Sequence, residues 1–134
     1  MSERFAGAIG LASMTVKHAD TAIALGSGDV AVLGTPRLVG LAEAATIAAI
    51  ADRLDQQETT VGVVVHIEHL GASSVGSLVQ ASAEVNRVEG SKISFEIQVH
   101  EGDRLVARGE ITRALVDRLQ FTARVAALGA NSRP

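Results

Sequence analysis

Glu43 is the residue on which any chemistry in this sequence turns. It is the only charged residue between Leu38 and Ala51, inside the almost wholly apolar stretch Val32–Leu54. A buried, isolated carboxylate costs roughly several kcal/mol, so it needs a partner or must be held neutral. The second candidate is His69, which falls on the apolar face of the run Val61–Leu70. An imidazole and a carboxylate inside one fold can set each other's protonation, which suits general acid–base chemistry. The third is Thr35, a hydroxyl just before the apolar stretch becomes helical. A helix start there offers backbone N–H groups and a positive dipole end, able to polarise a carbonyl. Each has a structural alternative. Thr35 can simply cap the helix, His69 can be a satisfied core histidine, and Glu43 can pair with Arg37 or a strand arginine.

Other chemistries find less support. His66, Glu68 and His69 resemble a metal cluster on paper, but on a strand His66 and Glu68 face away from His69. No metal site is expected. His18 and His100 stand alone. There is no cysteine, hence no thiol nucleophile, Cys-ligated zinc or disulfide. The glycines make no phosphate-binding loop and no serine lies in a nucleophile-elbow context.

The elements that must position these groups can be read from periodicity. Thr35-Pro36 opens a helix running to about Leu54, with Thr as N-cap and Pro at the first helical position. Its side Val39, Glu43, Ile47, Ile50, Leu54 is bulky. The other, Leu38, Leu41, Ala42, Ala45, Ala49, is small enough for another backbone to approach. Being apolar all round, it is expected to be buried on every side. A first strand is expected at Leu11–His18, followed by a loop over residues 19–34 able to act as a flap over a pocket. From Thr59 the period becomes two. Val61, Val63, Val65, Ile67 and His69 should share one face, with Gly62, Val64, His66 and Glu68 on the other. Strands Leu78–Val88, Lys92–His100 and Arg104–Val116 follow, joined by hairpin turns at Glu89-Gly90-Ser91 and Glu101-Gly102-Asp103. Asp117–Leu128 reads as a short terminal helix and residues 129–134 as a disordered tail. The expected fold is α+β, a single domain over residues 1–128 in which an antiparallel sheet wraps one long central helix.

Composition narrows the function classes. At 134 residues and net charge −3, the chain has no electrostatic footprint for nucleic acid. It lacks Trp and Tyr and has three Phe, which removes the usual platforms for base stacking. No stretch is long and apolar enough to span a membrane. The N-terminal FAGAIGLASM follows Glu3-Arg4 rather than a basic region, so it reads as the approach to a strand, with the cytoplasm as the expected location.

The run Leu33-Gly34-Thr35-Pro36-Arg37-Leu38-Val39-Gly40-Leu41-Ala42-Glu43-Ala44-Ala45 resembles the signature of the fluoroacetyl-CoA-type thioesterases of the hotdog-fold superfamily. In that family a Thr starts the helix, a Glu follows eight residues later, and a His ends the next strand just before a small-residue linker. Thr35, Glu43 and His69, with Gly71–Gly76 beyond, match in kind and spacing. Gly62, seven residues before His69, matches a glycine lining the family's active site, and Gly62 and Pro36 are the candidate substrate-binding residues. The resemblance covers about Met14 to Leu128. It implies a hotdog fold and hydrolysis of a small acyl-CoA thioester without metal or cofactor, CoA entering only as part of the substrate. It also implies a homodimer with sites near the subunit interface. His69 would be the general acid/base, Glu43 the base toward water or the nucleophile, and Thr35 a hydrogen-bonding group. One departure stands out. Fluoroacetyl-selective members carry aromatic residues in a lid before the helix, whereas this chain has none between Phe5 and Phe95, and Gly26-Ser27-Gly28-Asp29 stands in that place. A non-catalytic acyl-CoA-binding module and an acyl-thioester hydratase or dehydratase are the alternative readings.

Overall fold

The computed structural model describes residues 3–132. Strand β1 (Ile9–Thr15) leads through a short helix α1 (Ala22–Leu25) to the long helix α2 (Thr35–Ile50). Strands β2 (Glu58–His69), β3 (Leu78–Glu89), β4 (Lys92–Glu101) and β5 (Arg104–Asp117) follow, and helix α3 (Arg118–Ser132) ends the chain. The sheet order is β1-β3-β4-β5-β2, with every pair antiparallel. The sheet curls around α2, the layout expected from the succession of periods.

Alternating side chains build the core. Phe95, Ile97 and Val99 of β4 are fully buried with Val79 and Ala81 of β3 and Ile111 of β5. They meet Leu38, Leu41, Ala42, Ala45 and Ala49 on the small-residue side of α2. The close approach expected there is made by β1. A Cβ at Gly10 would overlap the Ala45 carbonyl oxygen and the Ala49 backbone, so glycine is required at that crossing. The β3–β4 and β4–β5 hairpins turn at Gly90 (φ 60°) and Gly102 (φ 59°). A glycine at the first of two central residues is the pattern of a type II′ turn, which matches strand twist.

Several boundaries and faces differ from expectation. β1 begins at Ile9 and ends at Thr15, and His18 lies in a short 3-10 turn. α2 ends at Ile50 and passes into a 3-10 turn, Ala51–Arg53. Gly34, not Thr35, is its N-cap; Thr35 is the first helical residue, and its hydroxyl is used elsewhere. In β2 the register with β5 shifts between Gly62 and Val64. The extra residue of such a bulge reverses the faces on either side of it, so strict alternation across Gly62 fails. α3 continues to Ser132 where a disordered tail was expected; Arg133 and Pro134 lie outside the described residues.

The largest correction concerns α2. One side is buried against the sheet, but Pro36, Ala44, Ile47 and Ala48 are exposed and Val39, Gly40 and Glu43 are half-buried. A helix apolar on all sides is covered by its own chain on one side only. Beside it β2 is an edge strand, and Val63, Val64 and Val65 are exposed. Among the described residues no helix is long and apolar enough to cross a membrane.

Candidate active site

His69 is the last residue of β2, and the chain turns immediately after it because the Leu70 and Gly71 N–H groups both donate to the Val106 carbonyl. The following segment is fastened to the entry of α2 by Leu33 N–H donating to the Ser73 carbonyl at 2.8 Å and by a Val32–Ser74 bridge. Two sequence-distant pieces therefore meet: the first residue of α2 and the end of β2. Thr35 Oγ1 and His69 Nδ1 share a hydrogen bond of 2.8 Å. His69 Nε2 is buried and has no hydrogen-bond partner among the described residues. Burial pushes the His69 pKa below its ordinary value, an effect partly offset by the Gly71 backbone. The ring is therefore biased toward its neutral form.

The pair faces a cavity of about 340 Å3. Its wall mixes aliphatic residues, Ala22, Val30, Val32, Leu33, Leu70 and Ala72, with polar ones, Ser27, Asp29, Thr35 and His69, and contains no Phe, Tyr or Trp. The segment read from sequence as a flap supplies Ala22 and Ser27–Val30 to that wall. It is stitched to the start of α2 by Gly34 N–H donating to the Asp20 carbonyl and by the Arg37–Asp20 ion pair at 3.2 Å. Pro36 has no N–H, and the Arg37 and Leu38 N–H groups both turn to the Gly34 carbonyl. The helix entry thus keeps fewer free donors than its position suggests.

Glu43 belongs to a second cluster. Eight residues of α2 separate it from Thr35, about 12 Å along the axis at 1.5 Å per residue. No hydrogen bond or ion pair joins it to His69 among the described residues. Its partner is Arg113 of β5, whose Nη1 donates to Glu43 Oε2 at 3.1 Å. The strand-arginine alternative is the arrangement adopted, while Arg37 is engaged by Asp20. Gly62 lies directly against this pair. A Cβ placed on it would come within 2.6 Å of Glu43 Oε2, so the missing side chain makes room for the carboxylate. Pro36 sits in the first turn of α2 on its exposed apolar face, outside the lining of the Thr35–His69 cavity.

The chain thus brings Thr35 to His69 and Glu43 to Gly62, with no hydrogen bond or ion pair between the two pairs among the described residues. Arg113 is the member that spacing did not single out. It is one of several strand arginines, and which of them turns inward depends on strand phase: Arg108 points out to Glu68, while Arg113 points in. His66 and Glu68 are exposed, and no group of three His, Cys, Asp or Glu residues able to hold a metal occurs among the described residues.

Comparison with known proteins bears on what this arrangement is for. A hot-dog-like protein from Thermanaerovibrio acidaminovorans superposes with a TM-score of 0.82 over 91% of this chain and 90% of that one, at 20% identity, which establishes the hotdog fold. A solved structure of the fluoroacetyl-CoA thioesterase FlK superposes with a TM-score of 0.85, at 26% identity, over 96% of this chain and 97% of that one. The fluoroacetyl-CoA thioesterase of Streptantibioticus cattleyicolor is 32% identical over 94 residues, 70% of this chain and 68% of that one. The family model described as fluoroacetyl-CoA-specific thioesterase matches residues 16–119, a span holding both polar clusters. Fold, sequence and the stretch that carries the polar groups agree, and the chain belongs to the fluoroacetyl-CoA-specific thioesterase family.

Proposed function

We propose that this protein hydrolyses the thioester of a short or medium acyl-CoA to the free acid and CoA, using Thr35, Glu43 and His69, with Gly62 and Pro36 on the substrate side. Its family membership supports the thioesterase activity. The single observation that carries the site is the state of His69. One ring nitrogen is held by Thr35, and the other is buried and unspent beside a cavity. A neutral imidazole fixed in this way can take a proton and return it.

The proposed reaction is metal-free and cofactor-free. Water oxygen bonds to the thioester carbonyl carbon, the carbon–sulfur bond breaks, and the proton lost by water goes by way of His69 to the departing thiolate. The Glu43 carboxylate either orients that water by accepting its second hydrogen bond while His69 takes the proton, or attacks the carbonyl first and expels the thiolate, giving an anhydride that water then opens. Single turnover in isotopically labelled water tests the second route, because label enters the Glu43 side chain when water opens the anhydride at the Glu43 carboxyl carbon. The cavity wall holds no Phe, Tyr or Trp, so the acyl group is not selected by contacts with such rings.

A homodimer completes the proposal. The uncovered apolar side of α2 and the open edge of β2 lie together, and a second copy along them would bury Ile47, Val63, Val64 and Val65. It would also roof the interval between the Thr35–His69 pair and Glu43.

Thiol release measured over a panel of acyl-CoA chain lengths tests this reading. Turnover is expected in the wild type, and Glu43→Ala and His69→Ala should each lose about 100-fold or more, the usual scale for an acid–base group. No release across the panel would sink the enzyme reading. Ligand-induced stabilisation without release would indicate a binding module, and a hydrated product still attached to CoA would indicate a hydratase.

A further inference from the structure

We infer that Asp29 determines the specificity of the Thr35–His69 cavity, and that the acyl group it favours carries a cationic end, as in the CoA thioester of a short amino acid; this rests on the thioesterase reading of that cavity. Asp29 is the one acidic residue in the cavity wall, and neither Lys nor Arg lines it. Its carboxylate makes no hydrogen bond or ion pair among the described residues. An aspartate in a loop ordinarily turns its side chain to a backbone N–H two residues on. Asp29 does not, so its charge is left to the cavity. Arg37, in the first turn of α2, is already held by Asp20 at 3.2 Å.

The carboxylate is carried by a segment tied at both ends. Thr21 Oγ1 accepts the Ala24 N–H at 3.2 Å and starts α1, and Gly26 (φ 72°) ends it. Ser27 N–H then returns to the Ala22 carbonyl at 2.9 Å, while Ala22 N–H donates to the Val32 carbonyl at 2.8 Å. The loop over residues 27–31 is thereby closed on itself beside the cavity.

A charge against a concave wall containing Val30, Val32, Leu33 and Leu70 acts on what enters more strongly than it would on a flat surface. Even with full solvent screening, a unit charge about 5 Å away would feel roughly a threefold or larger effect. Every substrate carries the same CoA, so any action of Asp29 on the CoA phosphates cancels when acyl groups are compared. What remains is attraction of a cationic end and repulsion of a carboxylate end, and specificity is the difference between them.

Thiol release from 3-aminopropionyl-CoA, butyryl-CoA and malonyl-CoA, which are similar in size and differ in charge, tests the inference. In the wild type kcat/KM should decline in that order, by about threefold or more at each step, and added salt should narrow the spread. Asp29→Asn should bring the three values together, and Asp29→Lys should reverse their order. Equal wild-type values, or a spread that Asp29→Asn leaves intact, would overturn the inference and leave the thioesterase reading standing. A change by one common factor across all three substrates would place Asp29 beside the CoA portion and overturn it likewise. Release from none of the three, nor from longer acyl chains, would overturn the thioesterase reading and this inference with it.

Discussion

His69 and Glu43 differ in what surrounds them, and that difference has measurable consequences. Desolvation lowers the His69 pKa, so the imidazole stays neutral to a lower pH than a free side chain would. As pH falls, the base is lost only when the ring finally protonates. The acid limb of kcat/KM assigned to His69 should therefore lie below about 6.5, the unperturbed imidazole value. A pH–rate profile from mildly acid to neutral conditions measures it, and removal of the limb in His69→Gln identifies its owner. A limb above neutrality would contradict the burial argument. At this scale the types of the candidate groups were legible, because an acid in an apolar helix and a histidine at the end of a strand are local oddities. The pairing was not. Arg113 lies 70 residues from Glu43, and their meeting depends on which face of β5 turns inward.

The positions of α2, β3, β4, β5 and both glycine hairpins follow from spacing and turn chemistry, although β3 and β5 also carry register irregularities, at Asn86 and Val106. β2 departs from its pattern because a bulge inserts one unpaired residue, Val63, and shifts the phase of the strand. Alternation set Gly62 on the face opposite His69, whereas the folded strand presents Gly62 to Glu43. Gly62→Ala probes this. The new Cβ would press on the movable end of Glu43, 2.6 Å away, and not on backbone. Thermal stability should change by at most a few degrees, while kcat should fall about tenfold or more, since a misplacement near 1 Å can cost that much. A large fall in melting temperature with kcat retained would show that the site is packed differently.

The whole molecule has an apolar side that the single chain does not use. Ile47 is 50% exposed on α2, and β2 next to it has an unpaired edge. Edges and patches of this kind are normally covered. Ile47→Glu would place a charge at the centre of the proposed contact. Light scattering after size exclusion should find a dimer for the wild type and a monomer for Ile47→Glu, with thioesterase activity lost alongside. A monomeric wild type with full activity would remove the second copy from the site.

By itself, the sequence determined the central helix, the meander of strands around it, and the presence of Thr35, Glu43 and His69 at the places where apolar stretches begin, carry a charge or end. These follow from local rules of period, capping and turn chemistry, which act over a few residues. Tertiary structure decided the partners. Thr35 went to His69 rather than to capping, Glu43 went to Arg113, and only one side of α2 was covered. Those outcomes depend on strand order, on the phase shift in β2 and on the angle at which the helix crosses the sheet. None of these is a property of any short stretch of chain.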